Sequence, residues 1–277
     1  MTEQSLEAAL RWATQRLAAA GIERARNEAR LLLRHVTGLS SETQLAHQDE
    51  RLKEQQKYEG AVLERAARIP LAHITGWASF WDLELRITPH VLVPRPETET
   101  IIEASLARAA PKRVLDVGTG SGCLLVTLLR NFPDAIGLAT DRSPEALACA
   151  QANLEEQDLN RRGLVAQCDW LDAAGKPFDL IVSNPPYLSA ADMASLQPEV
   201  AREPAAALDG GLDGLEAFRQ LARRLGRVLD KEAHVLLEVG RGQADAVEAI
   251  FKAHGFIPAG RHRDLAGIER VVALDSS

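Results

Sequence analysis

The 277-residue chain is short of several things, and the shortages narrow its function before any motif is read. It has three cysteines, Cys123, Cys149 and Cys168, with no close pair among them. An odd, scattered set builds no disulfide framework and offers no zinc-ligand spacing, and it suits a reducing compartment. Positive charge is not in excess: 32 Lys and Arg against 39 Asp and Glu give a net charge of −7. A protein that neutralises phosphates along a duplex carries the opposite sign, so non-specific nucleic-acid binding is disfavoured. Aromatic residues make up only 4%, and no basic segment bearing aromatics stands out as a recognition surface for bases. No apolar run reaches the roughly 18 residues needed to span a bilayer. The opening Met1–Trp12 lacks the basic-then-apolar pattern of an export signal, so a cytoplasmic protein without a membrane partner is expected. None of the seven histidines forms a metal pair or stands out as a base, so no metal is expected. What remains, 46% hydrophobic and 26% charged residues, is an ordinary globular composition.

Texture divides the chain. From Thr2 to about Ala67 there is no proline, and apolar residues recur at helical spacing. Leu6, Leu10, Ala13 and Leu17 form one stripe; Ala25, Ala29, Leu32 and Val36 form another, widened by Leu31 and Leu33. Gly21 and Gly38 fall where helices should end. The pattern predicts a bundle of three to five helices, serving either as a packing module or as a docking domain. Within Phe80–Ile87, Leu83, Leu85 and Ile87 alternate with Asp82, Glu84 and Arg86, which predicts a half-buried strand. Thr88-Pro89-His90 reads as a turn and Val91–Val93 as the returning strand of a hairpin. From Pro111 onward short apolar strands alternate with helices. Strands are expected at 113–117, 135–140, 163–167, 178–183 and 233–239, with weaker ones near 256–261 and 270–274. That alternation predicts a parallel sheet covered on both faces. In such sheets ligands bind beyond the carboxyl ends of the strands, so the chemistry belongs immediately after them.

After the first of these strands comes Gly118-Thr119-Gly120-Ser121-Gly122. Alternate glycines let the backbone turn sharply and approach a ligand closely. The loop lacks the Lys-Ser/Thr of a P-loop, and its G-x-G-x-G spacing is not the dinucleotide G-x-G-x-x-G. The alternative is a tight turn with no ligand. Asp141 closes the second strand, where a carboxylate can accept from both hydroxyls of a ribose; the alternative is an N-cap for the helix from Pro144. Asp169-Trp170 follows the third strand and pairs an acceptor for an adenine amine with a face for its ring, although a Trp is often simple core.

Phe178–Ser183 runs straight into Asn184-Pro185-Pro186-Tyr187. Two prolines remove two backbone donors and fix two φ angles, and the first keeps Asn184 out of the helical region. The result is a rigid, donor-poor corner that presents the Asn184 amide oxygen, carbonyl oxygens and an aromatic ring. It can receive an NH2 group on an sp2 carbon. Asn184 Oδ1 and the Pro185 carbonyl take the two hydrogens, and Tyr187 packs on the planar group. Such a nitrogen is a poor nucleophile, and acceptors that hold its N–H bonds aside favour a lone pair aimed at an incoming methyl. An adenine amine and a carboxamide both fit.

The glycine loop, Asp141, Asp169-Trp170 and Asn184 resemble the places where class I S-adenosyl-L-methionine-dependent methyltransferases hold their cofactor. The whole chain resembles the peptide chain release factor glutamine methyltransferases. The resemblance rests on Asn27–Leu32, Pro70–Gly76, Val93-Pro94-Arg95-Pro96-Glu97-Thr98-Glu99, the glycine loop, Asn184–Tyr187, and Glu203-Pro204 with Ala207-Leu208, Gly210-Gly211 and Asp213–Leu215. His73 departs mildly from the family's aromatic residue there. The resemblance implies an α/β fold: a Rossmann-like seven-stranded class I methyltransferase domain, residues 97–277, preceded by a small N-terminal helical bundle, 1–75, that docks the partner, and a β-hairpin linker, 76–96. It implies methyl transfer to the glutamine of the Gly-Gly-Gln motif in class 1 release factors, with no direct nucleic-acid contact. Cofactor contacts would fall on Gly118, Thr119, Gly120, Ser121, Gly122, Asp141, Asp169, Trp170 and Asn184. The glutamine would meet Asn184, Pro185, Pro186 and Tyr187, with Asn184, Pro185 and Tyr187 catalytic. For Arg95 and Glu97 a salt-bridged turn competes with substrate contact.

Overall fold

The computed structural model describes residues 4–171, 175 and 177–276, and its packing divides the chain into two units. The first comprises residues 1–76 together with 197–202, and the second residues 77–196 with 203–277.

In the first unit lie α1 (Leu6–Ala19), α2 (Ala25–Thr37), α3 (Ser41–Ala46), α4 (Gln55–Ala66) and α5 (Leu71–Thr75). The two apolar stripes meet across α1 and α2, burying Leu6, Ala13, Leu17, Ala29 and Leu32 with Tyr58 and Val62 of α4. Leu33 joins this core, but Leu31 does not: it points to solvent at 36% exposure. Two residues apart on a helix lie about 200° around the axis, so both cannot face one partner. The Tyr58 hydroxyl, buried with its ring, donates to the Ala29 carbonyl at 3.0 Å. Segment 197–202 is held to these helices by Glu199, which bridges Arg65 at 3.0 Å and Arg68 at 2.7 Å. Arg65 also reaches Glu28, so a nearly buried guanidinium has carboxylates on two sides.

The second unit begins with β1 (Trp77–Phe80) and β2 (Leu83–Arg86), an antiparallel hairpin in which Phe80 faces Leu83 across the turn residues Trp81 and Asp82. The hairpin expected from the sequence therefore closes one strand earlier. The strand expected over 80–87 is cut by the turn at Trp81 and Asp82 to Leu83–Arg86, with Phe80 ending its partner, and Val91–Val93 is not a strand. The reason lies far away in sequence: the Val93 backbone N–H donates to the Glu203 carboxylate at 2.9 Å, which takes it out of any ladder.

A 3₁₀ turn at Pro96–Thr98 leads into α6 (Glu99–Leu106), and the alternation follows: β3 (Arg113–Val117), α7 (Cys123–Asn131), β4 (Ile136–Asp141), α8 (Pro144–Glu156), β5 (Gly163–Gln167), β6 (Phe178–Ser183), α9 (Ala190–Met193), α10 (Glu216–Leu225), β7 (Leu229–Glu238), α11 (Ala244–Lys252), β8 (Ile257–Arg263) and β9 (Glu269–Asp275). The sheet order is β5-β4-β3-β6-β7-β9-β8. Only the pairings made by β9 are antiparallel, so the sheet is parallel but for that one strand. Side chains alternate between faces, as strand geometry requires. Val114, Leu180, Val182 and Leu236 pack on one side with α6 and α7, while Leu115, Ile181, Val235 and Leu237 pack on the other with α10 and α11. Both faces are dry, which is why the strands read as continuous apolar runs. The strand order steps outward in both directions from β3 and β6, and a crevice at their carboxyl ends is where such sheets bind ligands. No helix among the described residues is long and apolar enough to cross a membrane.

Candidate active site

Two turns leave neighbouring strands at that crevice. β3 and β6 pair side by side, with Leu115 opposite Ile181. At their ends the Ser183 hydroxyl donates to the Val117 carbonyl at 2.7 Å, tying the residue before Asn184 to the residue before Gly118.

The turn after β3 spends its backbone donors on its own support. Gly118 and Thr119 donate to the Thr140 carbonyl at 2.8 and 2.9 Å, and Gly120 donates to Asp141 Oδ2 at 3.0 Å. The Thr119 hydroxyl turns inward to Asp116 Oδ2 at 2.6 Å, and the Ser121 carbonyl accepts from Asn153 of α8 at 2.8 Å. Gly120 sits at φ +55°, and a Cβ built there would meet open space. Gly122, at φ +82°, is different: its Cβ would stand 3.0 Å from Ala150, so this glycine lets α7 start against α8. Thr119 and Ser121 are buried, and what the turn offers a ligand is backbone and room.

Beneath the turn, Asp116 is 1% exposed. Burial raises its carboxyl to about 7, against the pull of Thr119 and the Leu125 amide, and its Oδ1 has no hydrogen-bond partner. Asp141 accepts from Gly120 on one oxygen and from Ser143 on the other, at 2.9 Å. The cap of α8 is Ser143, whose hydroxyl accepts from Ala146. Asp141 is therefore free of the capping role, and each of its oxygens keeps a lone pair for a further donor. Asp169 is exposed, and Trp170 is half-buried against the α10–α11 side of the core at φ +60°. That conformation is uncommon for a bulky residue and costs on the order of 1–3 kcal/mol, so the surroundings hold the ring where it is. These residues fit an adenosyl sulfonium cofactor: open space over the glycines, unspent carboxylate lone pairs, and an aromatic face.

The corner after β6 is built by the opposite means, through side chains from far away in sequence. Asn184 Nδ2 donates to the Thr98 hydroxyl oxygen at 3.1 Å. With Nδ2 engaged by Thr98, Oδ1 is the atom left to accept. The Tyr187 hydroxyl donates to Glu238 Oε1 at 3.2 Å, and burial beside that acid pushes the phenol up. The Tyr187 carbonyl accepts from Gln243 Nε2 at 3.0 Å. Leu188 exchanges backbone hydrogen bonds with Leu208 and Gly210. A Cβ on Gly214 would sit 2.4 Å from the Tyr187 carbonyl, so that segment passes as close as backbone can. The run 203–215 that marks the family in sequence is thus the scaffold of the corner.

Glu238, at the end of β7, is 1% exposed. Burial raises it to about 7, while hydrogen bonding to Thr98 and Tyr187 and the charge of Arg270 work the other way. Arg95 pairs with the buried Glu203 at 2.6 Å, so its structural role is the one the geometry supports. Glu97 is half-buried and adds negative charge near Glu238 and Arg270. Sequence reasoning passed over Thr98, Ser183, Glu238 and Gln243. The available signal was an acid inside the otherwise apolar run Val235–Val239. Among the described residues, no group of three His, Cys, Asp or Glu is placed to hold a metal ion.

Comparison with known proteins agrees with this construction. Residues 8–76 match the PrmC N-terminal domain and residues 98–211 the methyltransferase small domain. A release factor glutamine methyltransferase from Rhodospirillum rubrum is 44% identical over 92% of this chain and 80% of its own length. One from Cereibacter sphaeroides is 43% identical over 96% of each chain. In fold, a ribosomal protein L11 methylase from Lactobacillus delbrueckii (TM-score 0.52, 22% identity, 72% of this chain and 90% of that one) is similar. So is a methyltransferase from Pyrococcus furiosus (TM-score 0.56, 17% identity, 79% and 98%). With the seven-stranded sheet, the glycine turn and the braced Asn-Pro-Pro-Tyr corner in one chain that aligns almost end to end with these relatives, the protein belongs to the release factor glutamine methyltransferase family.

Proposed function

We propose that the chain transfers a methyl group from S-adenosyl-L-methionine to the side-chain amide nitrogen of the glutamine in the Gly-Gly-Gln motif of class 1 peptide chain release factors. The observation that carries the reading is the corner at the end of β6, where Asn184 Nδ2 is held by Thr98 beside the glycine turn of the neighbouring strand. The names of the relatives supply the substrate.

The cofactor, when bound, supplies a methyl carried on a positively charged sulfur. Gly118–Gly122 leave room for its amino-acid portion, Asp141 accepts from its ribose hydroxyls, Asp169 accepts from the adenine amine, and Trp170 offers the ring a face. Asn184 borders both this group and the substrate. A carboxamide nitrogen is weak as a nucleophile because its lone pair is delocalised into the carbonyl. Asn184 Oδ1 and the Pro185 carbonyl accept its two N–H bonds, turn the lone pair toward the transferring carbon, and stabilise the positive charge that develops on nitrogen. Pro186 keeps the corner stiff, and the Tyr187 ring packs on the planar amide. Alignment of this kind supplies roughly 7–11 kcal/mol of the barrier. Transfer would form the nitrogen–carbon bond as the carbon–sulfur bond breaks, leaving a neutral thioether and the positive charge on nitrogen; that nitrogen is acidic, so its surplus proton leaves to solvent without a dedicated base.

The helical bundle, residues 1–75, docks the release factor, and the hairpin region, 76–96, joins it to the catalytic domain, 97–277. Leu45 and Leu63, about half exposed, are contact candidates. Replacing each by Asp is expected to raise KM for an intact release factor about three- to tenfold, about 1 kcal/mol, with no change for a Gly-Gly-Gln peptide; equal effects on both would remove the docking role. The reaction is placed in the cytoplasm, with no nucleic acid, membrane or metal as partner. Incubation with methyl-labelled S-adenosyl-L-methionine and either a release factor or duplex DNA tests the whole reading. Label is expected on the glutamine, and label on DNA alone would overturn the assignment.

A further inference from the structure

We infer that Thr98 and Glu238 are positioning residues for methyl transfer, Thr98 by setting the Asn184 amide and Glu238 by anchoring Tyr187. The inference rests on the role proposed for Asn184 and Tyr187. It begins with an asymmetry in that role: Asn184 serves as an acceptor, yet its side chain carries a donor and an acceptor on one flat group. Nothing in an Asn-Pro-Pro-Tyr sequence says which end faces the substrate. Were the amide turned over, its NH2 would meet the substrate NH2, donor against donor, and the lone pair would not be steered.

Thr98 removes that ambiguity. Its oxygen accepts from Asn184 Nδ2 at 3.1 Å, and the residue is 2% exposed, so water does not compete for the same bond. A hydroxyl whose oxygen is occupied in this way still has its own hydrogen to place, and the acid beside it, close enough to be stabilised by it, is Glu238. The same carboxylate takes the Tyr187 hydroxyl on Oε1, while Oε2, buried, has no fully formed hydrogen bond. One buried carboxyl at the end of β7 therefore holds the Tyr187 end of the 184–187 corner and lies beside the hydroxyl that holds its Asn184 end. A buried acid with so few partners is costly for folding. Its place, bonded to the Tyr187 hydroxyl and beside the Thr98 hydroxyl that holds Asn184, gives that cost a purpose. Neither residue reaches the reacting atoms; both act through Asn184 and Tyr187.

The test is a double-mutant cycle with a spectroscopic arm. Thr98→Val, which keeps shape and loses the hydroxyl, is expected to lower kcat on a release factor about ten- to a hundredfold. KM and cofactor affinity should stay within about twofold, and Thr98→Ser should recover most of the loss. In an Asn184→Ala background Thr98→Val should cost nothing further beyond about twofold, because its only route of action has gone. Full additivity of the two losses would overturn the inference. Glu238→Gln, which keeps an acceptor for the Tyr187 hydroxyl, should lose less than Glu238→Leu; the reverse order would also count against it. Independently of turnover, the Asn184 side-chain amide signals, identified by their disappearance in Asn184→Ala, should exchange with solvent about tenfold faster in Thr98→Val. Unchanged exchange would overturn the inference even if glutamine were not the substrate. Absence of label on a release factor with the wild-type chain would instead overturn the substrate assignment.

Discussion

The two turns at the heart of the site leave adjacent strands at the same level of the sheet, yet they are made in opposite ways. The Gly118–Gly122 turn is made by omission: side chains are missing or folded inward, and the local backbone supports itself through Thr140, Asp141 and Asn153. The Asn184–Tyr187 corner is made by bracing: Thr98, Glu238, Gln243 and the 208–214 segment each fix one of its atoms. The difference follows from what each must hold. A cofactor is large and offers many groups, so room and a few acceptors suffice. A single carboxamide offers two hydrogens, and its orientation must be set by atoms that cannot turn.

If that contrast is right, substitutions should sort by turn. The largest effect is expected for Asn184→Ala, which should lower turnover about 10²–10³-fold, the loss typical of one transition-state hydrogen-bond partner. Isothermal titration should find cofactor binding weakened far less; a loss confined to cofactor affinity would reverse the assignment of the two turns. Asp141→Ala should do the opposite, weakening cofactor binding by about 1.5–3 kcal/mol, the worth of hydrogen bonds to a charged group. Turnover at saturating cofactor should remain near normal, and an unchanged cofactor affinity would remove the ribose role. Gly214→Ala should cost about 1–2 kcal/mol of stability from its positive φ alone, and should lower turnover as well, because the new Cβ collides with the Tyr187 carbonyl. Denaturant melts and steady-state rates on the same sample check both parts.

The last effect concerns pH. Folding raises Asp116 from the ordinary 3.8 to about 7, and Glu238 from 4.5 to about 7. Between those values the folded chain keeps protons that the unfolded chain releases, so these groups make stability fall as pH rises from about 4 to about 7. Asp116→Asn should flatten that slope in urea midpoints taken at pH 5 and 7.5. A steeper slope in the variant would contradict the burial of an ionisable group beneath the glycine turn.

The same contrast explains what could be read from the chain beforehand. The strands of the sheet, the glycine turn and the prolines of the corner are local patterns, and periodicity or a short motif suffices for each. The braces are not local: Thr98 lies 86 residues from Asn184, Glu238 lies 51 from Tyr187, and Gln243 lies 56 from it. No spacing rule links such positions; only the return of β7 beside β6 does. The hairpin was misplaced for a related reason, since Val93 is claimed by Glu203, 110 residues away. Leu31 failed differently: its apolar character fitted a stripe, but its angle on α2 did not.

The most direct measurement is a crystal structure of the chain with demethylated cofactor and a peptide containing Gly-Gly-Gln. The glutamine side-chain nitrogen should lie in hydrogen-bond range, about 2.7–3.2 Å, of both Asn184 Oδ1 and the Pro185 carbonyl oxygen. An amide turned so that its nitrogen faces neither oxygen would contradict the account.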